Sequence, residues 1–174
     1  MTRRRKITWS LAGGPLAAIA LLAAIGSLRE SHLIKVTRST CADRDVMWDL
    51  WADVPERVEW DKGLEYINVD GSFEEGATGT VKVAGQGPIK YKIIEVDPKS
   101  GYTDRFESLL WTHTDWHHRI ESTGESCYDV TWELKARGPL SLILLPALKN
   151  IFGKEVPTAV DEFVELAESR STSY

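Results

Sequence analysis

Apolar and polar residues alternate most clearly over residues 127–137. Tyr128, Val130, Trp132 and Leu134 share one side there, and Asp129, Thr131, Glu133 and Lys135 share the other. A period of two is that of a strand with one face toward a core. Similar runs precede it at residues 32–40, 64–73, 78–84, 89–96, 102–110 and 114–122. Clusters such as Gly85-Gln86-Gly87-Pro88, Asp97-Pro98-Lys99-Ser100-Gly101 and Thr123-Gly124-Glu125-Ser126 separate them, and their residues favour tight turns. Seven strands joined this closely predict antiparallel pairing. On the first, Ile34 and Val36 fall on one side and Leu33, Lys35 and Thr37 on the other. Ile67, Val69 and Phe73 share a face of the second. On the fifth, Tyr102, Phe106, Ser108 and Leu110 read as inward, and on the sixth Trp116, His118 and Ile120. The fourth is ambiguous, because Ile93, Ile94 and Val96 straddle both faces.

The period changes in two places. Over residues 43–62, DRDVMWDLWADVPERVEWDK, Val46, Met47, Leu50 and Trp51 recur at helical spacing. Asp43 is suited to cap that helix, since its short acceptor reaches free backbone N–H groups. Pro55 prevents simple continuation, so a second short helix is expected over residues 55–60, ended by Gly63. After Gly138-Pro139, residues 140–148 form a strongly apolar loop, and residues 149–168 read as an amphipathic helix with Val156, Val160, Phe163, Val164 and Ala167 on one stripe. Pro157 marks either the first turn of a distinct helix or a kink. The apolar loop reads as core packing; the alternative is a lip through which a greasy ligand enters from a nearby bilayer.

One strand, two short helices, a run of strands and a last long helix is an unusual order. Together with Trp48-Asp49-Leu50-Trp51, Asp53 and Val58-Glu59-Trp60-Asp61, it resembles the helix-grip (START / Bet v 1-like, SRPBCC) superfamily: START domains, pathogenesis-related plant allergens and polyketide cyclases/dehydrases. The bacterial polyketide cyclase/dehydrase-like branch is the nearest in pattern, over residues 33–168. The resemblance implies an α+β fold in which a curved seven-stranded antiparallel sheet grips a long C-terminal helix around a cavity. It also implies that the first strand pairs with the last, bringing Cys41 toward Cys127. Outside the cytoplasm a disulfide is then open to them; two reduced thiols are the expected state.

Composition adds boundaries. At 174 residues the chain fits one domain of ordinary size, residues 31–170, after an N-terminal segment (1–30) and before a short disordered tail (171–174). Of the net charge of −5, Arg3, Arg4, Arg5 and Lys6 supply +4, leaving −9 on the rest. An acidic domain without a basic stripe argues against nucleic-acid binding. Two cysteines cannot build a disulfide scaffold or a four-cysteine zinc site. Residues 7–28 form a run of 22 without a charge, about 33 Å long as a helix and enough to cross a bilayer. With Arg3–Lys6 before it, the run reads as a transmembrane signal anchor holding the domain outside the cytoplasm. The alternatives are a signal peptide cleaved after Ala24-x-Gly26, giving a secreted protein, and a buried N-terminal helix of a cytosolic protein.

Candidate chemistry is sparse. His113, Asp115 and His117 have the i, i+2, i+4 spacing of a metal site, but their parity is outward, and a solvated polar face is the reading. Cys–His pairs, GxSxG and phosphate loops are missing. His118 faces the inside and is the one candidate for proton transfer. The residues expected to line a cavity are Trp60, Tyr66, Tyr91, Tyr102, Phe106, Ser108, Trp116, His118, Trp132 and Phe163, with Tyr128 a further hydroxyl. Neither metal nor cofactor is expected. The function read from this pattern is binding or transport of a small hydrophobic, lipid-like or polycyclic ligand. Alternatives are a polyketide cyclase/dehydratase-type enzyme using His118 and tyrosine hydroxyls, and a membrane-tethered protein-interaction module.

Overall fold

The computed structural model describes residues 13–172. Helix α1 (Gly13–Leu28) leads into β1 (Ser31–Thr40), followed by α2 (Arg44–Ala52) and a 3₁₀ helix (Val54–Glu59). Six strands follow, β2 (Leu64–Val69), β3 (Thr78–Val83), β4 (Ile89–Asp97), β5 (Gly101–Glu107), β6 (His113–Gly124) and β7 (Cys127–Arg137), and then α3 (Ser141–Ser171). The strands make one antiparallel sheet in the order β1-β7-β6-β5-β4-β3-β2. This is an α+β fold, a seven-stranded open sheet with a long C-terminal helix. The Asp43 carboxylate caps α2, accepting from the backbone N–H of Asp45 (2.7 Å) and Val46 (3.3 Å). Pro55 then turns the chain into the 3₁₀ helix instead of a second α-helix.

Two cores hold the layers together. The larger joins β1, β6 and β7 to α2 and α3 through Met47, Leu50, Trp51, Val130, Leu134, Val160 and Phe163. The smaller lies at the other edge of the sheet, around Ile67, Val81, Tyr91 and Ile93. Gly79 has to be glycine, since a β-carbon there would run into the Tyr91 ring and the Asn68 carbonyl.

Several expectations are corrected. The apolar stretch after β7 is not a loop but the first turns of α3, which is continuous through Pro146 and Pro157. Each proline removes one intrahelical hydrogen bond, but the apolar face continues along the helix. Alternation fails in β1 and β4 because the register shifts between His32 and Ile34 and between Ile93 and Glu95. An extra residue at each irregularity sets Leu33 against the core and lets Ile93 and Val96 both face inward. Strand β5 stops at Glu107, and Leu110, expected inside, is 60% exposed. Strand β2 ends at Val69, with Phe73 packed inward from the loop beyond it. Cys41 and Cys127 form a disulfide instead of two thiols, because Thr40 and Tyr128 are register partners at the ends of β1 and β7.

At the N-terminus, Gly13 and Pro15 lie in the first turn of α1, and residues 7–12 of the uncharged run lie outside the described residues. Among the described residues no helix is long and apolar enough to cross a membrane. At the other end α3 runs to Ser171, one residue into the expected tail, and residues 173–174 are likewise outside.

Candidate functional site: a cavity under the C-terminal helix

Three neighbouring strands aim their inward side chains at the same space. In β5 the alternation presents Tyr102, Asp104 and Phe106; opposite them in β6 stand His118, Trp116 and Thr114. Trp132 of β7 is the register partner of His118. Leu144, Leu148, Phe152 and Ala159 of α3 roof this surface without touching down on it everywhere. A cavity of ≈ 720 Å³ remains, bounded at one side by Arg57, Trp60 and Asp61 and at another by Ile67, Val81 and Ile89. That volume is within the range of pockets for small organic ligands, and the lining is predominantly apolar.

A polar cluster sits at the inner end. The guanidinium of Arg57 is buried, and its Nε and Nη2 donate to the Trp51 carbonyl at 2.9 and 2.5 Å. Its Nη1 lies 3.6 Å from Asp104 Oδ2, and its plane lies over the Tyr102 ring at 4.7 Å. Asp104 Oδ1, His118 Nδ1 and Trp132 Nε1 are buried without a hydrogen-bond partner. Leaving such atoms unpaired is costly. Burial pushes the Asp104 carboxyl up to about 6, against the pull of Arg57. His118 is stacked on Tyr102 at 4.2 Å and meets Trp132 edge-on at 4.6 Å. Burial, with the nearby Arg57 and Arg119 charges, holds its imidazole well below its ordinary value, so it is neutral at pH 7. On the Trp60–Gly63 side of the cavity, burial raises Asp61 to about 6; Glu162 and Glu155 add to the rise, and the Gly63 N–H opposes it.

Seven of the expected lining residues bound the cavity: Trp60, Tyr102, Phe106, Ser108, Trp116, His118 and Trp132. Three do not. Tyr66 is 39% exposed on β2, after a register shift between Leu64 and Tyr66. Tyr91 is buried in the smaller core, its hydroxyl donating to the Asn68 carbonyl at 2.8 Å. Phe163 is fully buried and stacks on Trp51 at 5.2 Å in the packed part of the core. Tyr128 also lies elsewhere, with the Arg44 guanidinium 5.0 Å from its ring centre. Sequence reasoning missed Arg57, Asp104 and Asp61. Asp104 carried a usable signal, because it shares the parity of Tyr102 and Phe106; Arg57 carried none.

The HTDWH stretch does not gather a metal site. Arg105 takes both Asp115 oxygens at 2.7 Å, and His117 Nδ1 lies 3.2 Å from Thr103 Oγ1. Asp115 is therefore buried and paired instead of solvated. No group of three His, Cys, Asp or Glu side chains among the described residues is arranged to hold a metal ion.

No protein-family model matches the sequence, and no curated protein is similar to it in sequence. Solved structures are similar in fold. The Zhui aromatase/cyclase from Streptomyces sp. R1128 superposes with a TM-score of 0.67 at 14% identity, over 82% of this chain and 96% of that one. Ara h 8.0201 superposes with a TM-score of 0.65 at 10% identity, over 81% and 99%. A START superfamily protein from Mycobacterium smegmatis superposes with a TM-score of 0.60 at 12% identity, over 78% and 99%. At these identities the likeness concerns the path of the backbone: this chain carries the helix-grip fold.

Proposed function

We propose that the domain binds a small apolar molecule, lipid-like or polycyclic, between the sheet and α3, and so carries, senses or sequesters it. The observation that carries this reading is the ≈ 720 Å³, predominantly apolar cavity between the sheet and α3. An apolar guest of small-molecule size suits a lining of this kind. An open cavity favours a ligand carrier over a packed interaction module. To test this, the full chain is titrated with an environment-sensitive apolar fluorophore. Saturable binding that disappears in Ala159→Phe, where the new ring fills the cavity, supports the proposal; binding unchanged by that substitution contradicts it.

A second reading is polyketide cyclase/dehydratase-type catalysis. It draws on the fold shared with an aromatase/cyclase and on Asp104, whose carboxyl near 6 is poised to exchange a proton at neutral pH. Arg57 beside it would polarise a carbonyl. His118, neutral at pH 7, would act as a base or as a donor in hydrogen bonds. Turnover of a poly-β-ketone abolished by Asp104→Asn, with fluorophore binding retained, would favour the enzyme.

The uncharged N-terminal run and the Cys41–Cys127 disulfide together support a domain tethered to a membrane and facing an oxidising compartment. Protection of the domain from protease in sealed cells lacking an outer barrier would contradict that placement.

A further inference from the structure

The most exposed large apolar side chain among the described residues is Trp111, at 86%, beside Leu110. Both lie on the short loop from β5 to β6. The Ser108 backbone N–H and hydroxyl clamp that loop, both donating to the Thr112 carbonyl at 2.7 and 3.0 Å. Leu110 (φ 54°) and Trp111 (φ 55°) are consecutive residues in the left-handed region, which β-carbons disfavour. The backbone thus takes a costly shape whose result is to aim an indole and an isobutyl group away from the protein.

This tip is fixed to the base of α1. The Leu140 N–H donates to Thr112 Oγ1 at 3.0 Å, and the Gly138 N–H donates to the Gly26 carbonyl at 2.9 Å. A β-carbon at Gly138 would lie 2.6 Å from the Trp111 carbonyl oxygen, and one at Gly26 would lie 2.6 Å from that of Gly138. The Arg137 Nε donates to the Ser27 carbonyl at 3.1 Å. Beyond this junction, residues 15–22 of α1 are exposed and include Leu16, Ile19, Leu21 and Leu22. They carry no charge, and the uncharged sequence continues back through residues 7–12 to Arg3–Lys6. A helix that is apolar all round has no single stripe to offer a second copy of the chain; it suits surroundings that are apolar on every side.

We propose that the Leu110–Trp111 tip docks into the same lipid bilayer that takes up α1, with the indole at the headgroup boundary where tryptophan is favoured. Ser108 and Thr112, at the root of the tip, line the cavity, as do Leu144 and Leu148 of α3. Docking therefore turns that side of the cavity toward the membrane. The proposal rests on the tether reading of α1 and not on the identity of any guest.

The test uses the full chain, disulfide intact, with phosphatidylcholine vesicles containing a minority of phosphatidylglycerol. A nitrobenzoxadiazole label is placed at Leu110→Cys and, as a control, at Asp97→Cys, the exposed last residue of β4, which leads into the turn at the far end of β5. The expected result is sedimentation of both with the vesicles, with a blue shift and several-fold stronger quenching by headgroup-proximal spin-labelled lipid at position 110 alone. A label at 110 that stays water-like on chain held by the vesicles overturns the docking and leaves the tether standing. Chain that does not sediment overturns both. A blue shift already present without vesicles, in a dimer, assigns the surface to a second copy and also overturns the proposal.

Discussion

The two halves of α3 meet the same sheet in opposite ways. Toward its C-terminal end, Val160, Phe163 and Ala167 are fully buried, and Phe163 is enclosed by Trp51, Trp60 and Trp132 at ring separations of 5.2 to 6.4 Å. Toward its N-terminal end, Leu144, Leu148 and Phe152 are only half-buried, and the cavity lies beneath them. The difference comes from what else arrives. The closed half receives α2 and the 3₁₀ helix, which insert Trp51, Trp60 and Arg57 between helix and sheet. In the open half Phe106 and Trp116 border the cavity, with Phe152 reaching Trp116 edge-on at 5.2 Å. Pro157, which has no N–H for the Gly153 carbonyl, stands at the boundary. A hollow thus arises where one layer lacks a filler, while the stability of the fold is concentrated elsewhere.

Substitutions in the two halves should separate accordingly. Phe163→Ala should cost about 3–5 kcal/mol, whereas Phe152→Ala, already half-solvated, should cost about 1 kcal/mol. Equal losses in urea unfolding would remove the contrast. Arg57→Leu should cost about 3 kcal/mol at pH 8, because it leaves the Asp104 carboxylate buried and uncompensated. The loss should shrink at pH 5, where Asp104, pushed up to about 6 even beside Arg57, is mostly protonated and needs no cation. A pH-independent loss would show that the pair is not what matters.

At the closed end, replacing Cys41 and Cys127 by serine releases a link across a sequence separation of 86. It should cost about 2–3 kcal/mol and leave cavity binding intact. Mass analysis of the native chain without reductant checks the bond itself: two free thiols would contradict it.

A modest effect belongs to Asp61, beside Trp60 on the cavity wall. A carboxyl whose folded value is raised from 3.8 to about 6 favours folding fully below pH 4, and that contribution disappears as pH rises through 6. Asp61→Asn should therefore stabilise by about 1–2 kcal/mol at pH 8, less than the full conversion because Asp61 is only partly buried. It should change little at pH 4. Stabilisation at both pH values alike would point to packing instead.

Local patterning carried the sheet and the α2 cap, because a period of two, a turn cluster or an Asp before a helix is written in adjacent residues. It failed where the determinant is distant. The register shifts in β1 and β4 insert residues that alternation alone cannot locate. The Cys41–Cys127 bond depends on β1 and β7 meeting across the length of the chain. Pro146, within an uninterrupted apolar run, concealed the first turns of α3. In the cavity, aromatic positions on β5, β6 and β7 followed from parity, whereas the pairing of Arg57 with Asp104 is not written in neighbouring residues. Tyr91 and Phe163, expected at the cavity, lie in packed cores instead.

The most direct test of a ligand-binding hollow is native mass spectrometry of the full chain extracted gently from its host, beside the Ala159→Phe variant. The account predicts a co-purifying apolar molecule on the wild-type chain and its absence from the variant, with both equally folded. A bare wild-type chain that also fails to take up any apolar probe would contradict it.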